Sequence, residues 1–465
     1  MPTFDLVVRG GTVCGPGGSG VADVGITGRR IVAVAEAGSL GDAAKVIDAT
    51  GAFVVPGGVD PHVHTSLLLG EFSTLDGFAE STAAAAWGGT TTLVDFAIPQ
   101  PPGVLSPLAC AEQRIEMAVG QAIVDVAFHG CVVKADQISI RQIPELFGHG
   151  LTTLKVFTIY KDLVQLSLED VRACMKEVAA AGGLLLVHAE SPHIVEPLRG
   201  EFQAAGQTDA YHHALARPPE SELDMVRTIL ELFRLTGCPG YIVHVSTPEA
   251  AIEIARARLE GTRVWAETCP HYVFLDDSKY RGEDGDLYIC SPPLRPRGLA
   301  DRLWHLVQNG AFQVWGSDHC CYDSAQKFKY RGDFTKTPNG MPGVEVRAPL
   351  LFSEGVMANK ISLGQFVALT ATNPAKLNGL YPRKGTIAPG ADADLAIYDP
   401  GWEVELNSKR LHMPTDYTPF EGFKVKGWPT TVIAGGRLVV DESRFLGEPG
   451  WGEVLQTGKP TLSVS

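Results

Sequence analysis

Two histidines stand one residue apart after a β-branched run in this chain, in the segment VVPGGVDPHVH at residues 54–64. Side chains at positions i and i+2 of an extended strand point to the same side, so the imidazoles of His62 and His64 share one direction. Two neutral imidazoles aimed at one point form half of a metal site. The pair alone is weak evidence, because core and surface histidines also show this spacing. Later strands must supply the other ligands.

Four later apolar runs contain or end in a residue that bears charge or binds metals. They are Lys155 in LKVF (154–157), His188 in LLVH (185–188), His244 in IVHVS (242–246) and Asp318 in VWGSD (314–318). Each has a structural explanation of its own: a lone histidine at a strand end, a buried ion-pair lysine, or an aspartate that caps a helix. Together with the first pair they make six such residues on five runs, which favours a shared metal site.

Lys155 is the unusual member, because a cationic ammonium repels metals and is costly to bury. Desolvation lowers the pKa of the amine and frees its neutral form, which can add CO2 to give a carbamate. A carbamate is a bidentate anion able to bridge two divalent ions. We therefore interpret the set as a binuclear site, with one ion held by His62, His64 and Asp318, the other by His188 and His244, and Lys155 as the bridge.

The apolar runs alternate with helical patterns from Phe53 onward. Eight runs are candidate strands: Phe53–Val59, Thr90–Phe96, Val124–Val133, Thr152–Phe157, Leu184–His188, Tyr241–Val245, Thr262–Glu267 and Phe312–Trp315. Continuous apolar runs suit parallel strands buried on both faces. Eight strand–helix units over about 320 residues predict a (β/α)8 TIM barrel, whose catalytic groups lie at the carboxyl ends of the strands. A doubly wound open sheet is the alternative, but no Gly-x-Gly-x-x-Gly turn follows the first run.

The N-termini of two helices can be predicted from capping residues. Ser167 is a predicted N-cap for a helix that buries Val171, Cys174, Met175 and Val178 and stops at Gly182-Gly183. Thr247 is the other predicted N-cap, followed by a proline at the first helical position.

Both ends of the chain have short strands and turns. Residues 1–53 and 380–440 predict one small β-sandwich domain beside the barrel, which spans residues 54–379, and residues 441–465 predict an arm or tail. A Gly435-Gly436 hairpin in the second segment echoes a Gly10-Gly11 pair in the first.

The composition narrows the function classes. The chain has 465 residues, 45% hydrophobic and 20% charged, with a net charge of −14 and no long basic run, which argues against nucleic acid and anionic membranes as partners. No stretch of about 18 apolar residues and no basic, apolar leader is present. Nine cysteines without a Cys-x-x-Cys pair indicate reduced thiols and a cytoplasmic protein.

The motifs resemble those of the amidohydrolase superfamily, and specifically the dihydropyrimidinase/hydantoinase family, over nearly the full chain. The broader set is VDPHVH (59–64), GGTT (88–91), LKVF (154–157), GSDH (316–319) and KGTI (384–387). The more specific set is SPPLR (291–295), NGMPGVE (339–345) and YTPFEG (417–422).

The resemblance implies a mechanism. Two ions about 3.5–4 Å apart would bridge a hydroxide that attacks a carbonyl carbon. Asp318 would accept a proton from the nucleophile and return it to the departing nitrogen. Tyr160 matches the family position that stabilises the oxyanion, and backbone groups of Ser291 and Asn339 would read the N–H and C=O edge of a cyclic imide.

The implied reaction opens a dihydropyrimidine, or a 5-substituted hydantoin, to an N-carbamoyl amino acid. Leu67 and Phe157 would contact the exocyclic substituent, and the apolar Leu67-Leu68-Leu69 stretch slightly favours hydantoinase-like breadth. Zinc is the expected metal, with manganese or cobalt also suited to these ligands. The family also implies a homotetramer or homodimer.

Four alternatives stand beside this one. Allantoinase shares the metal set, whereas dihydroorotase-like enzymes usually carry an arginine where Thr65 and Ser66 follow His64. A non-catalytic relative would have lost metal ligands, and a mononuclear deaminase would not need Lys155. The remaining histidines are assigned structural roles: His129, His149, His193, His212, His213, His271, His305, His319 and His412.

Overall fold

The computed structural model describes residues 3–99, 105–442 and 444–464. Its strands, in chain order, are β1 (Phe4–Gly15), β2 (Gly18–Thr27), β3 (Arg30–Glu36), β4 (Ala43–Asp48), β5 (Phe53–Pro56), β6 (Gly58–Val63), β7 (Leu68–Leu69), β8 (Phe72–Ser73), β9 (Thr90–Ala97), β10 (Asp125–Cys131), β11 (Thr153–Phe157), β12 (Leu184–His188), β13 (Gly240–Ile242), β14 (Val264–Thr268), β15 (Val314–Trp315), β16 (Leu395–Glu405), β17 (Lys424–Ala434), β18 (Arg437–Asp441) and β19 (Arg444–Phe445).

Fourteen α-helices connect them in the described residues: α1 (Phe78–Trp87), α2 (Pro107–Ala118), α3 (Gln137–Gly148), α4 (Leu168–Ala181), α5 (Pro192–Ala204), α6 (Ala210–Ala216), α7 (Pro219–Thr236), α8 (Pro248–Leu259), α9 (Pro270–Phe274), α10 (Arg297–Gln308), α11 (Ser324–Phe328), α12 (Arg347–Leu351), α13 (Leu363–Val367) and α14 (Asn373–Leu377). Short 3-10 turns at Asp277–Arg281 and Gly285–Tyr288 and π-helical turns at Phe352–Met357 and Ala368–Thr372 complete the list.

Eight parallel strands form the predicted barrel. Their order is β6-β9-β10-β11-β12-β13-β14-β15, each paired in parallel with the next. The two outer strands approach each other through a parallel bridge between Val63 and His319. Strands with side chains buried on both faces explain the continuous apolar runs of the sequence, and the TIM-barrel prediction is confirmed.

The first predicted strand is wrong in its extent. The run Phe53–Val59 is two strands in two sheets: β5 pairs with β1 and β16, whereas β6 pairs with β9. The chain changes sheet at Gly57, where a Cβ atom would lie 2.1 Å from Oγ1 of Thr91. Only glycine fits this close approach. Because the chain changes sheet at this point, the segment that carries the histidine pair belongs to the barrel and not to the terminal sheet.

The two helix predictions are confirmed. Helix α4 has Ser167 as its N-cap, with the hydroxyl accepting from the amide of Asp170, and it ends at Gly182 in the left-handed conformation. Its buried residues are the four predicted, Val171, Cys174, Met175 and Val178. Helix α8 begins at Pro248 after Thr247.

Both ends of the chain build one mixed nine-stranded sheet. Its order is β19-β18-β17-β16-β5-β1-β2-β3, with β4 paired to β1. Apolar residues from both ends, among them Val8, Val24, Ile26, Leu395 and Ile433, pack together as its core. This joining of the termini was predicted.

Only one of the two similar glycine pairs, the predicted hairpin at Gly435-Gly436, turns the chain. Gly435-Gly436 does turn the chain between β17 and β18, where Ala434 pairs with Arg437. Gly10-Gly11 lies inside β1 and shifts the β1–β2 register between Val8 and Gly11, so it is an irregularity of one strand and not a hairpin. Gly10 has a φ of +69°, which glycine adopts at little cost.

The C-terminal segment runs along the amino end of the barrel. Val454 bridges Val126 in parallel, and the amide of Leu455 donates to the carbonyl of Val126 at 2.7 Å. Leu462 and Val464 pack against apolar barrel residues that include Leu186 and Tyr241. All nine cysteines are buried and none forms a disulfide. Among the described residues, no helix combines the length and the apolar character that a bilayer span requires.

Lys384 ties the terminal sheet to the barrel, which gives a stability prediction. Its buried Nζ lies 2.5 Å from Asp125 at the start of β10, 2.6 Å from Asp394 and 2.9 Å from Asp392. Lys384→Met removes this cation from buried carboxylates, and breaking such a pair costs about 3–5 kcal/mol. We expect a clearly lower urea midpoint, followed by circular dichroism. Lys134→Met, at a lysine 68% exposed, is the matched control, and equal midpoints in the two variants would contradict the assignment.

Candidate metal centre and substrate pocket

The six candidate ligands converge at the carboxyl end of the barrel. His62 and Lys155 lie within β6 and β11, and His188 ends β12. The other three lie just past strand ends: His64 after β6, His244 after β13 and Asp318 after β15. All but His64 are buried, and the side chain of His64 is only 11% exposed. The fold therefore brings all six predicted residues together.

Asp318 stands between the two histidines of the opening motif. Its Oδ1 lies 3.0 Å from Nε2 of His62 and 3.3 Å from Nε2 of His64. These three side chains could hold one ion with one atom each, since the ligand atoms all lie within 4.8 Å of one another. His62 Nε2 is buried and makes no hydrogen bond although Asp318 is so close, which suits two ligand atoms that face a common point.

A second pair of histidines continues the cluster. The rings of His188 and His244 have centroids 4.5 Å apart, and those of His62 and His244 are 5.4 Å apart. Burial holds the pKa of both His188 and His244 below the ordinary value. Both imidazoles are therefore neutral at neutral pH, which is the form that binds metals.

Lys155 lies in an apolar setting beside these histidines. Its Nζ is 5.1 Å from the ring centroid of Phe96 and 5.0 Å from that of Phe157. Burial lowers the pKa of the amine to about 8, although Asp318 and Glu267 act in the opposite direction. With this pKa roughly a tenth of the amine is neutral at pH 7, far more than for an ordinary lysine, and the neutral form is the one that the carbamate hypothesis requires.

The carboxylates set the charge of the first pair of histidines. Burial alone would lower the pKa of His62, but Glu267 and Asp318 outweigh it and raise that pKa to about 9. Burial lowers the pKa of His64 to about 4, against the pull of Asp318. Burial alone would raise the pKa of the Asp318 carboxyl, but His62, His64 and His244 hold that pKa well below the ordinary value. A cation between these groups would take the place of the proton on His62, so the donor set fits a divalent metal.

Glu267 is a functional residue that was missed from the sequence. It lies in β14, with Oε1 2.6 Å from Nδ1 of His62 and accepting from the backbone amide of His244 at 3.0 Å. Its Oε2 accepts from the hydroxyl of Tyr241 at 2.7 Å. The carboxylate thereby fixes the ring orientation of one ligand and the backbone of another. The available signal was an acidic residue at the end of the seventh apolar run.

Glu190 was missed in the same way. Its Oε2 lies 2.8 Å from Nε2 of His188 and 2.6 Å from Nη1 of the buried Arg217. Burial would raise the pKa of Glu190, but Arg217 and His188 hold it below the ordinary value. His188, one of the second pair of candidate ligands, thus has its own carboxylate partner, as metal-binding histidines usually do. No sequence pattern separated Glu190 from a surface glutamate.

Tyr160, Ser291 and Asn339 meet on one side of the same cavity. The Tyr160 ring lies 5.4 Å from the ring of His188, and Ser291 Oγ donates to Oδ1 of Asn339 at 3.0 Å. Burial raises the pKa of Tyr160, although Arg217 and a hydrogen bond with Ser291 oppose it. Tyr160 is therefore a protonated phenol, able to donate a hydrogen bond.

The cavity above these groups has a volume of about 460 Å³, and its wall is partly apolar, although charged side chains such as Lys161 and Arg199 also line it. Leu67 and Phe157, the two residues predicted to contact the substituent, both line it, together with Leu163 and Val164. The β7–β8 hairpin forms part of this wall and leaves Leu68 46% exposed. The cavity thus combines the candidate metal ligands with apolar side chains in its wall.

Several other histidines are held by hydrogen bonds inside the protein. His129 contacts Oγ1 of Thr153 and the carbonyl of Pro61, and His319 contacts Asp76 and accepts from the amide of Gly343. His213 also lines the cavity, and its Nε2 is 2.8 Å from the carbonyl of Cys290.

A family model, related sequences and solved structures all indicate the same group of proteins. The amidohydrolase family model matches residues 53–439. A D-hydantoinase from Geobacillus stearothermophilus is 42% identical over 421 residues, covering 90% of this chain and 89% of its own. A D-phenylhydantoinase from Escherichia coli is 38% identical over 417 residues, covering 88% and 89%. The crystal structure of dihydropyrimidinase from Brevibacillus agri superposes with a TM-score of 0.95 at 39% identity, covering 98% of this chain and 99% of its own.

The position of Glu267 gives a prediction about metal retention. Glu267→Gln keeps the size of the side chain but removes the charge that orients His62. Loss of such an outer partner typically weakens metal affinity by about 10- to 100-fold. We expect a matching shift in a chelator competition titration, while Glu253→Gln, which alters an exposed pair with Arg227, should behave as the parent. An unchanged titration for Glu267→Gln would contradict the role given to this carboxylate.

Proposed function

Because the chain belongs to the amidohydrolase family and is a hydrolase of cyclic amides, we propose that it opens 5-substituted hydantoin or dihydropyrimidine rings to N-carbamoyl amino acids. The observation that carries this proposal is the meeting, in one cavity, of a metal-ligand cluster with the Ser291–Asn339 pair and an apolar wall. The hydantoinases and the dihydropyrimidinase to which the chain is similar support the same ring chemistry.

The residues fit a binuclear metal centre. One ion would be held by His62, His64 and Asp318, and the other by His188 and His244, with a CO2-derived carbamate on Lys155 as the shared ligand. Zinc is the preferred metal, and manganese or cobalt suits the same ligands. When bound, two such ions lower the pKa of a water and polarise the carbonyl under attack.

Asp318 and Tyr160 would handle the proton and the developing charge. Asp318 is ionised, because its pKa lies well below the ordinary value, and its carboxylate would accept a proton from the attacking water and return it to the departing ring nitrogen. The phenol of Tyr160 stays protonated and donates a hydrogen bond to the carbonyl oxygen as negative charge builds on it. Arg217, whose Cζ lies 5.4 Å from the Tyr160 ring centroid, adds positive charge nearby.

Ser291 and Asn339 would bind the ring edge, and the apolar wall would bind the substituent. Backbone groups of the two residues complement an alternating N–H and C=O edge, which every candidate ring shares. Leu67 and Phe157 provide contact for an apolar or aromatic group at the exocyclic position. This division favours 5-substituted hydantoins over substrates that carry a charged or ureido group there.

Two alternative functions are less well supported, each because of a specific observation. An allantoinase-like enzyme would place a polar ureido group against Leu67 and Phe157, where its hydrogen bonds would be lost. A non-catalytic scaffold would not need six ionisable ligands in one buried cluster. We further propose a cytoplasmic homotetramer or homodimer that acts on small molecules, because nine buried thiols suit a reducing compartment and the family resemblance implies an oligomer.

A substrate panel tests the function directly. Metal-loaded protein is incubated with dihydrouracil, hydantoin, 5-phenylhydantoin, allantoin and dihydroorotate, and N-carbamoyl products are quantified by chromatography. We expect turnover of the first three, with kcat/KM at least about 100-fold lower for allantoin and dihydroorotate, because their polar groups remain unpaired at the apolar wall. Failure to open any of the five rings would refute the proposal.

Lys155 tests the metal centre separately. Lys155→Ala and Lys155→Arg both remove the amine that adds CO2, and Arg keeps the positive charge. We expect each variant to lose most of its bound metal. Its activity should fall by more than the roughly 100-fold that is typical when a residue behind a metal ligand is lost. Metal analysis and a carbamate carbon resonance from labelled bicarbonate, present in the parent alone, are the measurements. Full metal content in either variant would refute the carbamate bridge.

A further inference from the structure

Lys327 is a buried lysine that lies beneath the substrate side of the cavity. It belongs to the short helix α11, and its side chain has no exposure to solvent. Its Nζ donates to the carbonyl of Ile289 at 2.8 Å and to the carbonyl of Pro338 at 2.8 Å. Ile289 lies two residues before Ser291, and Pro338 immediately precedes Asn339. One amine therefore holds both substrate-binding segments.

The two segments also contact each other around this point. The amide of Gly340 donates to the carbonyl of Ile289 at 3.0 Å, and Ser291 Oγ donates to Asn339 Oδ1. Gly340 has a φ of +124°, and a Cβ atom there would lie 2.4 Å from the Cβ of Cys320. The segment that carries Asn339 thus has little room on the Cys320 side, and Lys327 restrains it toward Ile289.

Burying an amine is costly unless its N–H groups are used. Burial lowers the pKa of Lys327 to about 7, against the pull of Cys290, Cys320 and Asp286. A neutral amine has two N–H donors and an ammonium has three, so both carbonyls keep a donor in either state. The contact is therefore a hydrogen-bonded clamp that works whichever form is present.

We propose that Lys327 is a positioning residue for substrate recognition, which fixes the spacing between the Ser291 and Asn339 segments so that together they match one ring edge. This rests on the proposed function, in which those two residues bind the ring. Loss of such a clamp weakens the hold of both segments on the ring in the ground state and the transition state alike, so it acts on KM and not on kcat.

The test is a split between kcat and KM. Lys327→Met keeps the length and volume of the side chain but removes both donors. We expect KM for the preferred ring substrate to rise about 10- to 100-fold with kcat within about threefold, because the lost interactions are those of uniform binding. Metal content should equal that of the parent, since Lys327 contacts no ligand. A lysine that only stabilises the fold would lower the melting temperature and leave KM unchanged.

A second readout depends on the ring edge itself. A substrate methylated at the ring nitrogen that is not in the broken bond lacks one edge donor, and the parent should use it at least about 10-fold less well. Lys327→Met should reduce this discrimination to about twofold, because the two segments no longer hold a fixed spacing. Unchanged discrimination together with unchanged KM would overturn the proposal.

Two further variants protect the test. Lys327→Gln retains polarity and should fold if Lys327→Met does not. Its side chain is one bond shorter and cannot reach both carbonyls, so we expect a KM between those of the parent and Lys327→Met. A KM equal to that of the parent would overturn the clamp. Lys360→Met, at an exposed lysine near Trp304, is the matched control. If the parent opens no cyclic imide, the proposed function fails. If the parent is active and the Lys327 variants have its KM and its discrimination, only the clamp proposal fails.

Discussion

The bond between Glu267 and His62 is the contact on which the metal cluster depends. Both side chains are fully buried, and an uncompensated charge there would cost several kcal/mol. Glu267 receives three donors, from His62, Tyr241 and the backbone of His244, so its desolvation is offset from the neighbouring β13 segment and from β6. Because this carboxylate is fixed, the ring of His62 is fixed, and Asp318 meets it at one defined position. Glu190 does the same for His188, so each half of the candidate centre is anchored by a carboxylate behind its histidine.

Backbone strain is concentrated at the same place. Three non-glycine residues that line the cavity have left-handed φ values, Tyr160 (73°), His244 (39°) and Asp318 (50°), and two more, Ser66 (47°) and Asp162 (62°), stand next to lining residues. Such conformations cost about 1–3 kcal/mol each and persist only where surrounding structure enforces them. Here the barrel strands end in buried apolar packing, and the chain must turn sharply to aim a polar side chain at the shared centre. The rigid barrel thus supplies the stability against which these turns are held.

Which parts of this arrangement could be predicted follows from the range of the interactions. Strand ends and the residues on them are local features, so His62, Lys155, His188 and Asp318 could be placed together once a parallel barrel was expected. The change of sheet at Gly57 could not, since it depends on the proximity of Thr91 in the next strand. Glu267 and Glu190 were missed because a buried carboxylate is distinguished from a surface one only by its partners. His62, the partner of Glu267, lies on another strand, and Arg217, which pairs with Glu190, follows helix α6. The pairing of Val454 with Val126 is equally invisible, because nothing in either segment specifies the other.

The cavity combines two kinds of recognition with different physical consequences. Its polar groups are fixed by hydrogen bonds between segments, including those of Lys327 and the Ser291–Asn339 contact. In the proposed function, a ring with a mismatched edge would leave buried polar groups unpaired and would be strongly rejected. Its apolar side is built from Leu67, Phe157 and a two-strand hairpin of two residues each, half exposed at Leu68. Apolar walls discriminate by only about 10- to 200-fold per methylene group. In the proposed function, the barrel loops would therefore set the ring chemistry, while the hairpin would leave the choice of substituent broad.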